Sequence, residues 1–579
     1  MPILAQLGLV KEIIMHATLQ SVWDELSGKG GPFEIEEILV RGAPMKTFKS
    51  APPSLREIWL SSAIHDHREY LVYEDQRWSY AEVHKIVGSI AAWMSNANIV
   101  QGDRVAIAMR NYPEWMMCYW AAVASGLTVV GINAWWVEDE LDYALLDAAP
   151  KILFCDQERL TRFEAIRDHH ADVKVVGVRL KEPVKQVFDF AEVAHFPGAL
   201  PDRTIEPDQD ACIFYTSGTT GRPKGAQQTH RGCVHNIMNM GFWGQCLSQT
   251  MVKVHGTPMQ DPQDAPPISA LVTTPLFHVT ANNCLAQAST VAGGKLVHMY
   301  KWDATTALQL IEREKISSLT GVPVMSRELI NHPDFNQYDT SSLKSVGGGG
   351  AQLQPDLVSK IDKAVQTARP GTGYGMTETC GIITSIGGDF FVDNPESCGR
   401  AMPTFDVKTV DKQGNMTLPG ESGELWVRGA PVIKGYLNKT EATAETITDG
   451  WLHTGDVAWI DENKFIYIVD RVKDMVLRGG ENIYCSEVES VLFQMEAVAE
   501  CSVFGIADDR LGEEVGVAIY CQGQAQATAE QIRAFCSTRM AKHKIPRYIW
   551  LLDTPLPRNA SGKFLKRELK DQLPMNLAQ

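Results

Sequence analysis

Tyr215-Thr216-Ser217-Gly218-Thr219-Thr220-Gly221-Arg222-Pro223-Lys224-Gly225 is the stretch that decides the fold class of this chain. It follows a predicted strand at residues 211–215. Its glycines let the backbone approach an anion closely, and its hydroxyl groups and Lys224 add hydrogen-bond donors and a positive charge. We interpret it as a loop for the outer phosphates of a nucleotide, although an ordinary surface loop can have the same composition.

Two common nucleotide-binding signatures do not fit this chain. A P-loop has a Gly-Lys pair after four intervening residues, whereas Lys224 follows Pro223. The second glycine cluster, residues 371–376, has Met376 at the position of the third glycine of a dinucleotide fingerprint. The sequence therefore disfavours both a P-loop NTPase and a Rossmann dehydrogenase.

The stretch at 215–225 resembles the phosphate loop of the adenylate-forming superfamily. That superfamily includes acyl-CoA synthetases, 4-coumarate-CoA ligases, luciferases and the adenylation domains of peptide synthetases. Further blocks that resemble this family follow in the family's order, at residues 275–278, 321–323, 347–353, 373–378, 454–456, 470–474, 479–483 and 559–563. A series of this length in the correct order is not expected by chance.

Composition narrows the class of protein independently. The 579 residues exceed one ordinary core, and a net charge of −16 disfavours a nucleic-acid surface. The 12 cysteines form no Cys-x-x-Cys pair, which predicts reduced thiols, no zinc site and a cytoplasmic location. The first residues lack the pattern of a secretory signal.

One uncharged stretch, residues 115–136, is long enough to cross a bilayer. It contains Gly126 and Asn133 and is flanked by Glu114 and Glu138, with no basic end. We therefore predict a buried helix, a break at Gly126 and a buried parallel strand, with no transmembrane segment. Peripheral membrane contact stays open.

The alternation of strand and helix patterns predicts an α/β fold. The expected architecture is a large N-terminal domain of two α/β subdomains plus a small β-rich subdomain, followed by a small, mobile α+β C-terminal domain. The predicted boundaries are an extension at 1–50, the large AMP-binding domain at 51–470, a hinge at 471–474 and the small domain at 475–579. Capping patterns predict helices that begin at Ser79, Ser486 and Thr528.

The resemblance implies roles for the nucleotide residues. The pyrophosphate loop corresponds to residues Thr216, Ser217, Gly218, Thr219, Thr220, Gly221 and Lys224. The adenine and adjoining backbone positions correspond to Gly349, Gly350, Ala351, Gly373, Tyr374, Gly375, Met376 and Thr377. Asp456 matches the carboxylate that accepts the ribose hydroxyls, and Arg471 matches a ribose and phosphate contact. Glu378 matches a magnesium ligand, with the hydroxyl of Thr216 as a second ligand, and hard oxygen donors suit Mg²⁺.

Lys563 matches the family's lysine that bridges the substrate carboxylate and the α-phosphate and stabilises the charge that develops there. One lysine cannot hold the α-phosphate while a thiol enters the same face, so the small domain is expected to rotate between two half-reactions. Lys473 matches the hinge position. Gly479 and Gly480 match the loop that admits the pantetheine arm of coenzyme A.

The acyl pocket is the least defined part of the resemblance. The block at 275–278 matches a pocket wall, which makes His278 a candidate for pocket lining and for gating the carboxylate and the thiol. Ala281, Asn282, Val322 and Gly347 are expected to complete the pocket. Its glycines are compatible with a linear acyl chain or a flat aromatic acid.

The hypothesis is an ATP-dependent carboxylic acid–CoA ligase that releases AMP and pyrophosphate and acts on a medium- or long-chain or related acid. The alternatives are an aryl-acid CoA ligase, an enzyme that loads a carrier-protein thiol, and a non-catalytic adenylate-binding protein. The last predicts loss of Lys563, Glu378 or Asp456, and all three are present. The expected partners are the acid, ATP and CoA, without nucleic acid, and a homodimer stays open.

Overall fold

Two sheets form the large domain of the computed structural model. The structure describes residues 2–216, 222–256, 266–479, 481–521, 527–559 and 562–579. The first sheet has seven strands, in the order Lys224–Thr229, Asp210–Thr216, Thr128–Gly131, Arg104–Ala108, Ile152–Asp156, Lys174–Val178 and Val187–Asp189. All its neighbouring strands pair in parallel except the first two, which pair antiparallel.

The second sheet has a parallel part and an antiparallel part. The parallel part consists of Arg369–Met376, Ser345–Gly348, Ser318–Gly321, Ser269–Val272, Lys295–His298 and Glu69–Tyr73, and Gln76–Ser79 pairs antiparallel at its outer edge. The antiparallel part consists of Gly381–Gly387, Gly399–Ala401, Phe465–Arg471, Trp451–Ile460, Gly423–Gly429 and Phe405–Val410, with Ile447–Thr448 beside Trp451–Ile460. The predicted β-rich portion is thus present, and its strands continue the second sheet.

Helices cover both sheets. The α-helices of the large domain are Pro2–Ser27, Leu55–Ser61, Tyr80–Asn96, Pro113–Ala124, Glu138–Ala148, Gln157–Glu164, Phe190–Ala194, His230–His255, Val279–Ala281, Ala288–Val291, Ala304–Glu314, Pro323–Ile330, Pro355–Ala364, Asp389–Asp393 and Thr440–Thr446. A π-helical segment, Asn282–Gln287, connects two of them, and 3₁₀ turns are found at Ser62–His65, Arg167–His170, Phe335–Gln337 and Thr377–Thr379.

The long uncharged stretch forms the predicted buried helix and strand. Every residue of the helix Pro113–Ala124 is buried, and the strand Thr128–Gly131 pairs in parallel on both sides. Gly126 between them has a φ of +74°, which favours glycine. Among the described helices, none combines the length and the apolar character needed to cross a bilayer.

The N-terminal residues are part of the large domain's core. The described side chains Met15, Leu19 and Val22 are buried, and Trp23 packs edge-on against Phe242 with ring centroids 4.7 Å apart. After this helix, the strands Ile35–Val40 and Ala43–Phe48 form a hairpin. The segment expected as an extension without a motif therefore supports the outer side of the helix His230–His255.

The small domain contains a five-stranded sheet. Its strands are Glu481–Ile483, Val476–Arg478, Gly512–Tyr520, Glu500–Asp508 and Tyr548–Leu552, and its helices are Cys485–Leu492, Ala529–Ser537 and Lys566–Gln572, with 3₁₀ turns at Lys542–Lys544 and Met575–Leu577. Together with the large domain, this gives the α/β and α+β architecture that the sequence predicts.

Buried hydrogen bonds tie the two domains at their junction. The carboxylate of Asp470 accepts a hydrogen bond from the backbone N–H of Arg471 at 2.7 Å and another from that of Cys485. The hydroxyl of Ser486 donates to the carbonyl of Val469. Burial raises the pKa of Asp470 to about 6. The start of the small domain is therefore held against the last strand of the large one.

His230 makes the large domain sensitive to acid. Its Nδ1 accepts a hydrogen bond from the backbone N–H of Leu55, the ring is fully buried, and it opens the helix His230–His255, whose N-terminus disfavours a positive charge. Burial lowers the pKa of His230 to about 3. The folded state therefore keeps the ring neutral, whereas the unfolded chain protonates it below a pKa of about 6.5.

We expect stability to be fully present above pH ~6.5 and to fall as the pH approaches ~3, because the unfolded state binds the additional proton in this window. Between pH 7.5 and 5 the contribution of His230 alone is about 2 kcal/mol. Urea midpoints measured across this range for the wild type and for His230→Gln, which keeps an acceptor without a titratable ring, test this. Equal slopes for the two proteins contradict it.

Candidate active site

A wide cleft of about 1000 Å³ separates the two domains. From the large domain its lining includes Gly350, Ala351, Tyr374, Asp456 and Arg471, and from the small domain it includes Gly562, Lys563 and Lys566. Lys473, in the segment between the domains, also lines it. Residues that are far apart in the sequence and share a predicted role therefore meet in one cleft.

Asp456 is the centre of the polar network in this cleft. It is buried, it accepts a hydrogen bond from the Tyr374 hydroxyl at 2.5 Å, and it forms an ion pair with Nε of Arg471 at 3.0 Å. The Thr454 hydroxyl accepts a hydrogen bond from the N–H of Asp456 at 3.1 Å. The negative charge of Asp456 raises the pKa of Arg471, and burial followed by that same charge raises the pKa of Tyr374. The carboxylate is thus fixed in place by the Tyr374 hydroxyl and the Arg471 guanidinium.

Lys563 extends toward this network from a tight turn of the small domain. Its N–H donates to Oδ1 of Asn559 at 2.9 Å, and Gly562 before it has a φ of +79°. A Cβ built on Gly562 would lie 2.7 Å from Cγ2 of Val322, so only glycine allows this close approach between the domains. Desolvation, followed by the charge of Arg471, lowers the pKa of Lys563, while Asp456 and Glu378 act in the opposite direction.

Glu378 lies in the turn Thr377–Thr379 and is not among the residues that line the cleft. Its carboxylate is nearly buried, and Oε1 accepts a hydrogen bond from the Tyr436 hydroxyl at 2.7 Å. The carbonyl of Thr377 accepts one from Nε2 of Gln228 at 2.9 Å, which fixes the turn to the strand Lys224–Thr229. Nζ of Lys224 lies 4.2 Å from the ring centroid of Tyr436. Tyr436 therefore connects the carboxylate with the lysine of the phosphate loop, and no motif in the sequence indicated it.

The phosphate loop is described only at its two ends. Thr216 and Lys224 pair across the two antiparallel strands that flank it, and the Thr216 hydroxyl lies 3.5 Å from the carbonyl of Lys224. The predicted phosphate residues Ser217, Gly218, Thr219, Thr220 and Gly221 lie outside the described residues. The two strands that flank the loop thus lie at one side of the first sheet, beside the turn Thr377–Thr379 that carries Glu378.

A second, mainly apolar cavity of about 620 Å³ joins the cleft. Gly350, Thr372, Gly373 and Gly375 line both. Gly347 and Gly349 line only the second cavity, and Met376 and Thr377 line neither. Several of the predicted adenine residues therefore lie at the junction of the cleft and the cavity.

Ala281 and Asn282, which were predicted to line the acyl pocket, are not among the residues that line this cavity. Both are fully buried, and Oδ1 of Asn282 accepts a hydrogen bond from the indole of Trp115 at 3.2 Å. The residues that line the cavity from this segment are Val279, Thr280 and Cys284. Cys284 belongs to the π-helical turn Asn282–Gln287, which sequence periodicity does not reveal.

Val322 and His278 also lie outside the lining of this cavity. Val322 is buried between Gly350 and Gly562, at the contact between the domains. Nε2 of His278 is buried and has no hydrogen-bond partner among the described residues. Burial and the nearby charge of Lys563 lower the pKa of His278 to about 4, so its ring is neutral at physiological pH. His278 therefore lies near Lys563 and not along the acyl cavity.

Gly479 is not among the residues that line the cleft. It has a φ of +61°, and its N–H donates to the carbonyl of Leu511 within the small domain at 2.7 Å. Gly480 lies outside the described residues. This arrangement brings Lys563 to the cleft and leaves Gly479 away from it.

Comparison with known proteins matches the chain to two family models. "AMP-binding enzyme" covers residues 60–437, and "AMP-binding enzyme C-terminal domain" covers residues 487–563. A feruloyl-CoA synthase from Amycolatopsis sp. is 33% identical over 496 residues, which cover 85% of this chain and 93% of that protein. A long-chain-fatty-acid–CoA ligase from Bacillus subtilis (strain 168) is 30% identical over 513 residues, covering 83% and 88% respectively.

Solved structures have the same architecture. The o-succinylbenzoate CoA synthetase from Bacillus subtilis, in complex with its acyl-adenylate intermediate, is 27% identical with a TM-score of 0.74, over 90% of this chain and 99% of that one. The ATP-bound MatB protein from Rhodopseudomonas palustris is 27% identical with a TM-score of 0.76, over 89% and 98%.

Proposed function

Because this chain belongs to the AMP-binding enzyme family, it is an ATP-dependent acid–CoA ligase that acts through an acyl adenylate, and we propose that Lys563, Asp456, Arg471 and Glu378 carry its first half-reaction. One observation carries this assignment. Lys563, from the small domain, lines the same cleft as Asp456 and Arg471 of the large domain, and this cleft joins an apolar cavity. The negative charge of Glu378 also acts on Lys563.

In the proposed adenylation step, a carboxylate oxygen of the acid attacks the α-phosphorus of ATP, and the bond to the β-phosphate breaks to release pyrophosphate. Phosphoryl chemistry of this kind depends mainly on positioning and on neutralising charge. Lys563 would bridge the attacking carboxylate and the α-phosphate, and the buried, charged Asp456 would accept the ribose hydroxyls. The strands that end at Thr216 and Lys224 would direct the phosphate loop toward the outer phosphates.

Magnesium fits the oxygen donors offered by Glu378 and Thr216. Glu378 offers a carboxylate whose Oε1 is fixed by Tyr436, and Thr216 offers a hydroxyl. Among the described residues no group of three or more His, Cys, Asp or Glu side chains could form a protein-only cage. Mg²⁺ prefers one or two protein ligands together with substrate phosphates, and when bound it would neutralise charge on those phosphates.

The second half-reaction requires a different arrangement of the domains. The thiol sulfur of CoA attacks the acyl carbon, AMP leaves with the bonding electrons, and the thiol proton passes to solvent or to a base. We propose that rotation at Lys473 withdraws Lys563 and brings the segment of Gly479 and Gly480 to the cleft. The support is that Lys473 lines the cleft between the domains while Gly479 lies away from it.

Pyrophosphate release with a panel of aliphatic and aromatic acids, with and without CoA, tests this function. Pyrophosphate and acyl-CoA in equal amounts support it. Adenylate that accumulates without thioester would favour transfer to a carrier protein, and turnover restricted to aromatic acids would favour the aryl-acid alternative. Magnesium dependence, a cytoplasmic location and a homodimer stay predictions.

Asp456→Asn is expected to weaken the use of ATP. An amide has one acceptor oxygen in place of two, so it cannot serve Tyr374, Arg471 and the ribose together. Since a hydrogen bond to a charged group contributes about 1.5–3 kcal/mol, KM for ATP should rise about tenfold or more. Initial rates at varied ATP test this, and Asp172→Asn, a substitution in an exposed turn outside the cleft, is the control. An unchanged KM for ATP contradicts the role.

A further inference from the structure

The apolar cavity is elongated along one helix. Met240, Gly244, Leu247, Met251 and His255 line it at intervals of three or four residues, which places them on one face of the helix His230–His255. From Met240 to His255 this face extends for about 22 Å. The wall of the cavity is therefore a groove that runs along the helix.

The opposite wall has the same length. It is formed by the strands Ser345–Gly348, Arg369–Met376 and Gly381–Gly387, whose registers pair Ser345 with Arg369 and Gly371 with Gly387. From Gly375, beside the cleft, to Arg369 the strand covers about 20 Å. The helix and the strand therefore give the groove about the same length. The glycines of the three strands keep the groove open.

Gly244 has no packing role that explains it. A Cβ built there would meet no atom within 4 Å, because the position faces the open cavity. Glycine within a helix costs about 0.5–1 kcal/mol relative to alanine. Its presence in the middle of this helix is therefore explained by space for a ligand.

The far end of the groove is charged. His255, Lys344, Arg369 and Asp389 line it, while the body between is lined by Met240, Trp243, Leu247, Met251, Ile382 and Ile386. Asp389 lies 3.0 Å from Nε2 of His255 and 3.6 Å from a guanidinium nitrogen of Arg369, and Arg369 also pairs with Asp362 at 2.6 Å. Lys344 is exposed and forms no ion pair with any described residue. Lys344 is therefore the cation at this end that has no counterion among the described residues.

We propose that the acid substrate has an elongated apolar body and a second carboxylate at its distal end, which Lys344 receives. This proposal rests on the proposed ligase function and names the substrate class of that site. A methyl-terminated chain of the same length would bring an apolar end to this charged rim, whereas a distal carboxylate would pair with Lys344 there.

The test compares hexadecanedioate with hexadecanoate, and uses hexanoate as a short acid. We expect the wild type to prefer the dicarboxylate about fivefold in kcat/KM, the range of a partly exposed ion pair. Lys344→Met should abolish the preference and Lys344→Glu should reverse it. Lys412→Met, an exposed lysine in a hairpin turn outside the cavity, should leave it unchanged.

Gly244→Phe tests whether the substrate occupies the groove, independently of the charged end. It should lower kcat/KM for both long acids at least about tenfold and change hexanoate less than about twofold, because the ring fills the groove beyond the reach of a short chain. Gly241→Phe, on the outer side of the same helix near Phe33, is the matched control. Equal use of the two long acids, or a preference that survives Lys344→Met, overturns the distal carboxylate. If no acid releases pyrophosphate, the ligase function itself fails.

Discussion

Lys563→Ala should reduce pyrophosphate release by about 10²–10³-fold, the effect of removing one preorganised donor to a developing negative charge. The same variant should convert a presynthesised acyl adenylate and CoA to thioester within about threefold of the wild-type rate, because Lys563 is assigned only to the step that forms the adenylate. The partial-reaction rates, measured separately by pyrophosphate release and by thioester formation, check both expectations.

Lys542→Ala is the control for this experiment. Lys542 is an exposed lysine of the small domain that does not line the cleft, so its loss should leave both rates unchanged. Equal losses in both half-reactions for Lys563→Ala would assign the lysine to general stability or binding. A wild-type rate of adenylation in Lys563→Ala would show that Lys563 takes no part in the chemistry.

Glu378→Gln should lower adenylation by about 100-fold and shift its magnesium dependence to higher concentrations, as expected for loss of a charged metal ligand. The readout is the rate of pyrophosphate release across a magnesium titration. A residue that only supports the fold would change the maximal rate without moving the magnesium midpoint.

Tyr436→Phe distinguishes the effect of the Glu378 charge from the effect of its orientation. It removes the 2.7 Å hydrogen bond to Oε1 and keeps the carboxylate, so the loss should stay below about tenfold. Glu378→Gln with unchanged magnesium dependence, or a Tyr436→Phe defect as large as that of Glu378→Gln, argues against a metal role for this carboxylate.

Local sequence patterns predicted the structure where the contacts that matter are local. Ser79 and Glu82 form the predicted capping box, and Thr528 and Gln531 form another. In each case the interacting groups are three residues apart, so their geometry is encoded in the segment itself. The buried helix and strand around Gly126 followed from composition in the same way.

The helix predicted to begin at Ser486 shows where local patterns fail. The helix starts at Cys485, and the Ser486 hydroxyl donates to the carbonyl of Val469 in the large domain. Glu489, expected to complete a capping box, instead forms an ion pair with Lys566 at 3.0 Å and accepts the N–H of Val503. Contacts with distant segments replaced the local hydrogen bonds, and the sequence carries no signal of them.

The candidate site likewise contains residues that the sequence indicated and residues that it did not. The family blocks indicated Asp456, Arg471 and Lys563, which the fold brings to one cleft. In the acyl cavity, Gly347 was predicted and is among the lining residues, whereas the long wall was not predictable because it belongs to a helix without a family motif. The spacing of Met240, Gly244, Leu247 and Met251, with a glycine inside a helix, was the one available signal.

The most direct test of the central claim is the stoichiometry of one turnover with hexadecanedioate, ATP and CoA. The account predicts AMP, pyrophosphate and acyl-CoA in equal amounts. When CoA is omitted it predicts acyl adenylate and pyrophosphate, both formed about 10²–10³-fold more slowly by Lys563→Ala. ADP and inorganic phosphate as the products, or thioester formation without an adenylate, would contradict it.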